Sequence, residues 1–162
     1  MQLSKPQKFI VSLLLCQGAG FLGSIFTTTS VNTWYLTIAK PAFTPPSWVF
    51  GPVWVTLYTL MAIAFFLIWS HMGFFRNLFT NHRPAILLFL SQLALNALWS
   101  VLFFGLQNPL AALIDLGLLL ILLLATIRAF YKIRPTAAYL LIPYLLWASF
   151  AFFLNFSIWQ LN

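Results

Sequence analysis

Residues 52–70 read PVWVTLYTLMAIAFFLIWS, a stretch that is strongly apolar and carries no charged side chain. A helix needs about 20 apolar residues to cross the hydrocarbon core of a bilayer, so this segment predicts a transmembrane helix. Four more stretches have the same character, at about 9–26, 86–105, 110–131 and 136–159. None alternates with a period of two and all are too long for barrel strands, which excludes a membrane β-barrel. The expected fold class is therefore all-α, one domain over residues 1–162 built as a bundle of five transmembrane helices. Prolines stand at or near four of the five starts, at positions 52, 84, 109 and 135, where a missing N–H costs nothing.

The composition of the whole chain agrees with a membrane protein. Of the 162 residues 62% are apolar and only 6% are charged. A soluble domain carries about 25% charged residues. The net charge is +7, but the bases are scattered, so a nucleic-acid partner is not expected. The sequence contains no serine–histidine–aspartate set, carboxylate pair or phosphate-binding loop, and it predicts neither a metal site nor a required cofactor.

The distribution of bases predicts the orientation in the membrane. With five spans, the N-terminus and the second and fourth connections share one side, while Lys40 alone lies on the other. Loops rich in Lys and Arg stay in the cytoplasm. The N-terminus is therefore expected in the cytoplasm, with the first loop and the C-terminus outside. The seven bases on the predicted cytoplasmic side are Lys5, Lys8, Arg76, Arg83, Arg128, Lys132 and Arg134.

The first connection, residues 27–51, is much longer than the others and is rich in aromatic residues and proline. Loops of this length are usually functional or disordered. Disordered segments contain few aromatic residues, so this loop is expected to fold down as a lid on one end of the bundle.

Polar side chains inside the spans normally face the bundle interior, because exposing them to lipid is costly. Gln92 and Asn96 share one helical stripe with Trp99, and Asn155 shares a stripe with Trp147 and Ala151. Two explanations are open for the amides: hydrogen bonds between helices, or contacts with a ligand. A lone intramembrane acid such as Asp115 is a functional candidate by default.

The tryptophans divide into two groups by depth. Trp48, Trp69 and Trp159 lie near span ends, where an aromatic belt at the membrane interface is expected. Trp54, Trp99 and Trp147 lie deeper and on the stripes of the amides. The deeper rings indicate either a pocket for a flat apolar ligand or ordinary core packing.

The segment Gly18–Gly23 matches G-x-G-x-x-G, the fingerprint of dinucleotide-binding loops. That fingerprint requires a preceding strand, whereas these glycines lie inside a predicted span. Close helix packing is therefore expected, with Ala19 and Gly23 as a pair of small residues.

Four segments together resemble the TspO/MBR family, the tryptophan-rich sensory proteins and mitochondrial translocator proteins (peripheral-type benzodiazepine receptors). They are WYLTIAKPAFTPPSWVFGPVWVTLY at 34–58, QLALNALWSVLFF at 92–104, DL at 115–116 and PYLLWASFAFFLN at 143–155. The resemblance covers nearly the whole chain. It implies a five-helix bundle, usually a homodimer, with a pocket below the first loop.

The resemblance also implies a ligand class and a set of site residues. Family ligands include porphyrins such as protoporphyrin IX and flat isoquinoline or benzodiazepine drugs. Some bacterial members are reported to degrade protoporphyrin in light, with tryptophans matching Trp54 and Trp147 implicated. The ligand-binding candidates, with Asp115 added as the lone acid, are Tyr35, Pro45, Trp54, Tyr58, Asn96, Trp99, Asp115, Trp147 and Ala151.

The function expected from the resemblance is that of a tetrapyrrole-binding sensor or regulator in tetrapyrrole or stress metabolism, in contact with membrane lipid. A tetrapyrrole transporter and a light-dependent porphyrin-degrading enzyme are the alternatives. The chain shows no inverted repeat of the usual transporter kind, and Pro143 is its one strong breaker inside a span. The animal sterol motif needs a Tyr followed by Lys or Arg, and residues 154–160 contain neither. This departure points to a microbial member and argues against sterol binding.

Overall fold

The computed structural model describes residues 3–72 and 83–162, and regular structure within these ranges is entirely helical. Among these described residues, five segments are long and apolar enough to cross a membrane, which confirms the predicted number of spans. The elements are α1 (Lys5–Val31), α2 (Trp34–Thr37), α3 (Ser47–Met72), α4 (Arg83–Ser100), the π turn (Val101–Gly105), α5 (Pro109–Ile133), α6 (Pro135–Tyr139) and α7 (Ile142–Leu161). In the third span α4 continues into the π turn, and in the fifth span α6 is followed by α7.

Two helix ends differ from the sequence prediction, and both shorten the first connection to residues 32–46. α1 continues to Val31, and the hydroxyls of the polar run TTTS find acceptors within the helix: Thr27 donates to the carbonyl of Gly23 and Thr29 to that of Phe26. The prediction that Pro52 starts the second span is wrong, since α3 begins at Ser47 and Pro52 lies inside it. Proline at that position removes only the bond to the carbonyl four residues earlier, near the exposed helix start.

The other span-initiating prolines are confirmed. Pro84 is the second residue of α4, while Pro109 and Pro135 are the first residues of α5 and α6. Proline supplies a helical φ there, and its missing N–H would have had no partner inside the helix.

The five spans form a closed ring of neighbours. α1 packs on α3 and α4, α4 on α5, and α5 on the fifth span, which returns to α3. A row of stacked rings crosses this ring of helices, from Trp69 to Phe65 at 5.6 Å, on to Phe89 at 4.6 Å and to Phe130 at 5.7 Å.

The tryptophans near span ends differ in their surroundings. Trp48 and Trp159 are exposed, as expected for an interfacial belt. The same expectation is wrong for Trp69, which is buried, because its indole completes the aromatic stack inside the bundle.

The third and fifth spans are irregular where they carry candidate residues. At the end of the third span, Leu106 N–H donates to the carbonyl of Val101 at 2.8 Å, the wider spacing of a π turn. The fifth span is interrupted at Leu140–Leu141, directly before Pro143. Pro143 is thus confirmed as a break, because proline has no N–H with which to continue the ladder.

Two glycines of the G-x-G-x-x-G match, Gly20 and Gly23, serve helix packing, as predicted, whereas a Cβ added to Gly18 would meet nothing within 4 Å. A Cβ added to Gly20 would lie 2.4 Å from Cε2 of Tyr58, and one added to Gly23 would lie 2.9 Å from the Ser100 hydroxyl. Both distances are shorter than real Cβ contacts, so these positions require glycine for α1 to approach its neighbours.

Candidate functional site

The first connection lies against the ends of the third and fifth spans. Trp34 packs edge-on against Phe103 at 5.6 Å, and the buried ring of Tyr35 packs against Phe104 at 5.7 Å. On the other side, Phe43 contacts Phe150 at 6.2 Å. The connection therefore covers one end of the bundle, in the position expected of a lid.

Asn162 ties the connection to the end of the fifth span. Its side-chain Oδ1 accepts from the N–H of Ala39 at 3.0 Å, while its Nδ2 donates to the carbonyl of Ala39 at 3.1 Å. The same Nδ2 donates to the carbonyl of Ile158 at 2.8 Å. One carboxamide thus links α7 to both polar groups of a single backbone residue in the loop.

Lys40 is held by the fold of the connection itself. Its Nζ donates to the carbonyls of Tyr35 at 2.5 Å and Ile38 at 3.0 Å. It also lies 4.8 Å from the centroid of the Tyr35 ring, a cation–π distance. Burial raises the pKa of the Tyr35 hydroxyl, so that ring remains a neutral phenol at neutral pH.

Asn96 joins three spans at the centre of the bundle. The Tyr58 hydroxyl of α3 donates to Asn96 Oδ1, and Asn96 Nδ2 donates to the Tyr144 hydroxyl of α7 at 2.8 Å. All three side chains are buried. Of the two explanations open for this amide, its contacts are those of a bridge between helices.

A second amide bridge lies nearer the lid. Trp99 Nε1 donates to Asn155 Oδ1 at 3.0 Å, and Asn155 Nδ2 donates to the carbonyl of Pro109 at 2.8 Å. Of the two explanations open for Asn155, its contacts are those of a bridge that connects the third, fourth and fifth spans. Trp99 also stacks on Phe103 at 5.2 Å, directly under the lid.

The indoles of Trp54 and Trp147 are only half-buried, unlike the central network. Trp54 stacks on Tyr58 with centroids 5.6 Å apart and planes inclined by 29°. Trp147 lies 5.9 Å from Phe50, which is one turn before Trp54 and so on the same face of α3. Phe150 lies 5.5 Å further along, and the second and fifth spans thus share an aromatic row.

Two other candidates lie beside this aromatic row in the chain. Ala151 is half-buried, one turn after Trp147 on α7. Pro45 is half-buried in the connection, two residues before α3 begins. Both indoles and Ala151 pack against the same buried core, which includes Tyr58.

Gln92 and Asp115 differ from the asparagines. Gln92 is fully buried, and neither its Oε1 nor its Nε2 has a hydrogen-bond partner within the described residues. Of the two explanations open for this amide, the described residues therefore show no interhelical bond. Asp115 is 4% exposed, and its Oδ2 likewise has no partner among the described groups. Groups buried in this way cost free energy until something bonds to them.

Three residues that organise the site received no role from the sequence. Tyr144 lies within the motif at 143–155, three residues before Trp147. That spacing places both side chains on one face of the helix, and it was the signal from which a role for Tyr144 could have been predicted. Lys40 was seen only as the lone base on its side of the membrane. For Asn162, nothing in the sequence signals a contact, because its partner Ala39 is remote in the chain.

Comparisons with known proteins find matches over almost the whole chain. The TspO/MBR family model matches residues 12–160. The Tryptophan-rich protein TspO of Archaeoglobus fulgidus is 47% identical over 155 residues, covering 96% of this chain and 97% of that protein. The human Translocator protein is 40% identical over 142 residues, covering 88% and 82%. A Tryptophan-rich sensory protein of Cereibacter sphaeroides is 32% identical over 154 residues, covering 95% and 90%.

Proposed function

The chain belongs to the TspO/MBR family of integral membrane proteins, and from that premise we propose that it binds tetrapyrroles such as protoporphyrin IX inside the bundle. Binding would make it a sensor or regulator of tetrapyrrole or stress metabolism, a role in line with the sensory name of its Cereibacter sphaeroides relative. The observation that carries the proposal is the aromatic row formed by Phe50, Trp54, Trp147 and Phe150 beneath the first connection.

The aromatic row suits a flat apolar ligand for two physical reasons. Aromatic rings pack favourably face to face with an offset, or edge to face, and a macrocycle offers a large surface for both arrangements. Trp54 and Trp147 also keep part of their surface uncovered by protein, so a ligand can cover it. Contact with the ligand then removes apolar surface without breaking any hydrogen bond of the described residues.

The buried amides support the aromatic row from below. Asn96 fixes the hydroxyl of Tyr58, and the ring of Tyr58 carries the indole of Trp54. Rings held by packing and hydrogen bonds lose little conformational freedom when a ligand arrives, which favours binding. Of the remaining polar groups, Gln92 and Asp115 retain the atoms that a ligand or a bound water could satisfy.

The test is a titration of protoporphyrin IX into the purified protein in nanodiscs, followed by porphyrin absorbance and tryptophan quenching. Trp54→Ala and Trp147→Ala each remove a large apolar contact worth about 1.5–3 kcal/mol, so each Kd should rise roughly ten- to hundredfold. Trp48→Ala is the matched control, because that indole is 75% exposed and lies outside the aromatic row. Wild-type affinity in both variants, or equal losses in all three, would reject the aromatic row as the binding site.

Light-dependent degradation of the bound porphyrin is a second candidate, favoured by the stacking of Trp54 on Tyr58. These two oxidisable rings are in direct contact at the proposed site, so an excited porphyrin would find an electron donor beside it. A transporter role remains the other alternative, and porphyrin flux into liposomes distinguishes it from binding. In the dark, product formation would indicate enzymology that needs no photochemistry.

Three further properties belong to the same proposal. The seven-to-one distribution of bases places the N-terminus in the cytoplasm and the first connection outside. The protein acts as a homodimer in contact with membrane lipid. Sterol binding is not expected, since residues 154–160 contain neither the Tyr nor the Lys or Arg of the animal motif.

A further inference from the structure

The charge distribution at the lid end of the bundle is unusual. The chain has one acidic residue, Asp115, and it is buried in α5. Lys40 is the one base between α1 and α3, and no ion pair links it to a carboxylate among the described residues. The ammonium of Lys40 therefore has no carboxylate partner from the part of the protein that the structure describes.

The ammonium group of Lys40 is held in place by hydrogen bonds and does not lie at the end of a freely moving surface side chain. Two N–H groups of the ammonium are used by the carbonyls of Tyr35 and Ile38, and the side chain is half-buried. An ammonium has three donors, so one remains for another acceptor. The Tyr35 ring beside it is a neutral phenol and supplies only its quadrupole, so the full positive charge persists.

The charge stands at the outer end of a continuous series of ring contacts. Lys40 lies over Tyr35, Tyr35 lies 6.3 Å from Phe103, and Phe103 stacks on Trp99 at 5.2 Å. Trp99 in turn bonds to Asn155 in the fifth span. Phe50 and Phe150 of the aromatic row pack against the same buried cluster as Tyr35 and Phe103. A flat ligand bound on the row would therefore have a fixed cation near one of its edges.

We propose that Lys40 is the carboxylate anchor of the site, so that flat apolar acids are preferred over neutral flat molecules of the same shape. This inference rests on the proposed tetrapyrrole binding. Protoporphyrin IX carries its two carboxylates on one edge of the ring, and that edge would face Lys40 while the opposite, apolar edge faces the interior. Charge-assisted hydrogen bonds of this kind are about twice as strong as neutral ones. Lys40 is thus a residue that determines specificity and orientation.

The experiment compares two probes, protoporphyrin IX and its dimethyl ester, which have the same ring but differ in the charge of that edge. Each is titrated into wild type, Lys40→Met and Lys40→Arg in nanodiscs of zwitterionic lipid. For Lys40→Met the Kd for the acid should rise roughly ten- to hundredfold, the size expected for losing a hydrogen bond to a charged group. Its Kd for the ester should stay within about twofold of wild type, because only a charged edge loses a partner. Lys40→Arg should retain most of the preference for the acid.

Lys40 also bonds to two carbonyls of the first connection, so replacing it could displace the lid and weaken binding indirectly. The ester is the control for this effect, because a displaced lid would weaken the binding of acid and ester alike. Equal losses for acid and ester would mean that Lys40 only shapes the lid, and that result overturns the anchor. Unchanged affinity for both probes overturns it as well. Lys132→Met, which removes an exposed base at the other end of the bundle, should change neither Kd. Failure of the wild type to bind either probe would instead reject the tetrapyrrole proposal itself.

Discussion

Asn96→Leu is the substitution whose outcome the structure defines most sharply. It deletes the bonds to Tyr58 and Tyr144, two residues that are only 6% and 0% exposed, and leaves their hydroxyls without this partner. In membrane bundles one such bond is worth about 0.6 kcal/mol on average and about 1.7 kcal/mol at most. Two bonds together therefore predict a loss of about 1–3 kcal/mol in the free energy of unfolding.

Gln92→Met provides a matched control one turn earlier on α4. Gln92 is also fully buried, but its amide atoms have no partner among the described residues. Replacing it by an apolar side chain of similar shape removes a desolvated polar group without breaking a bond. The free energy of unfolding should therefore stay unchanged or rise by up to about 1 kcal/mol. Two buried amides on one helix are thus predicted to respond with opposite signs.

The assay measures stability and binding on the same preparation. Unfolding is followed by circular dichroism in mixed micelles with rising dodecyl sulfate, and protoporphyrin IX affinity is measured before denaturant is added. Asn96→Leu should lose stability while the Kd of its folded fraction stays within about threefold of wild type, because the amide bonds protein and not ligand. A variant of wild-type stability with weakened porphyrin binding would refute this reasoning and assign Asn96 to the ligand. Lost stability or weakened binding in Gln92→Met would show that its amide has a partner after all.

Three other outcomes are expected. An impermeant maleimide should label Ala42→Cys but not Thr136→Cys in intact cells, since both positions are exposed and the native cysteine is buried; the reverse pattern would invert the orientation. Trp54→Phe and Trp147→Phe should lower the affinity for protoporphyrin IX only modestly. At saturating porphyrin, they should reduce the rate of its light-driven degradation much more strongly, measured against dark and oxygen-free controls. Equal photodegradation by wild type and both variants would leave only a binding role. Asn162→Ala should speed hydrogen exchange at the loop amide that its side chain holds, and unchanged exchange would show that this contact does not order the connection.

Much of the fold followed from the sequence because the membrane imposes a strong length requirement. A run of about 20 apolar residues is stable in lipid only as a membrane-spanning helix, so five such runs predicted five spans. Helix ends were less predictable. The TTTS run at 27–30 looked like a loop, yet its hydroxyls bond to carbonyls nearby and the helix continues to Val31. Side-chain bonding at a helix end depends on geometry that hydropathy does not contain.

The site was predictable as a list of residue types but not as a set of partners. Gln92 and Asn96 occupy the same stripe and have the same chemistry, yet only Asn96 meets two hydroxyls. Whether an amide on α4 finds a partner depends on which residues of α3 and α7 lie at the same height in the bundle. The break at Leu140–Leu141 and the close approach of Gly20 to Tyr58 help to determine that level. Contacts between remote segments of this kind cannot be read from one helix at a time.

The physics of the bilayer explains why amides and rings have separate roles in this bundle. An amide in the interior is stable only when bonded, so Asn96 and Asn155 are already committed to protein partners. An indole has a large apolar surface that lipid, protein or ligand can cover at similar cost, so Trp54 and Trp147 remain available. A charge is costly inside the bilayer, and Lys40 lies in the first connection, outside the five spans. The interior rings are therefore expected to select ligands by shape, and the lid is expected to select them by charge. Replacing either indole should weaken the binding of neutral and acidic ligands alike, whereas replacing Lys40 should weaken the binding of acidic ligands only.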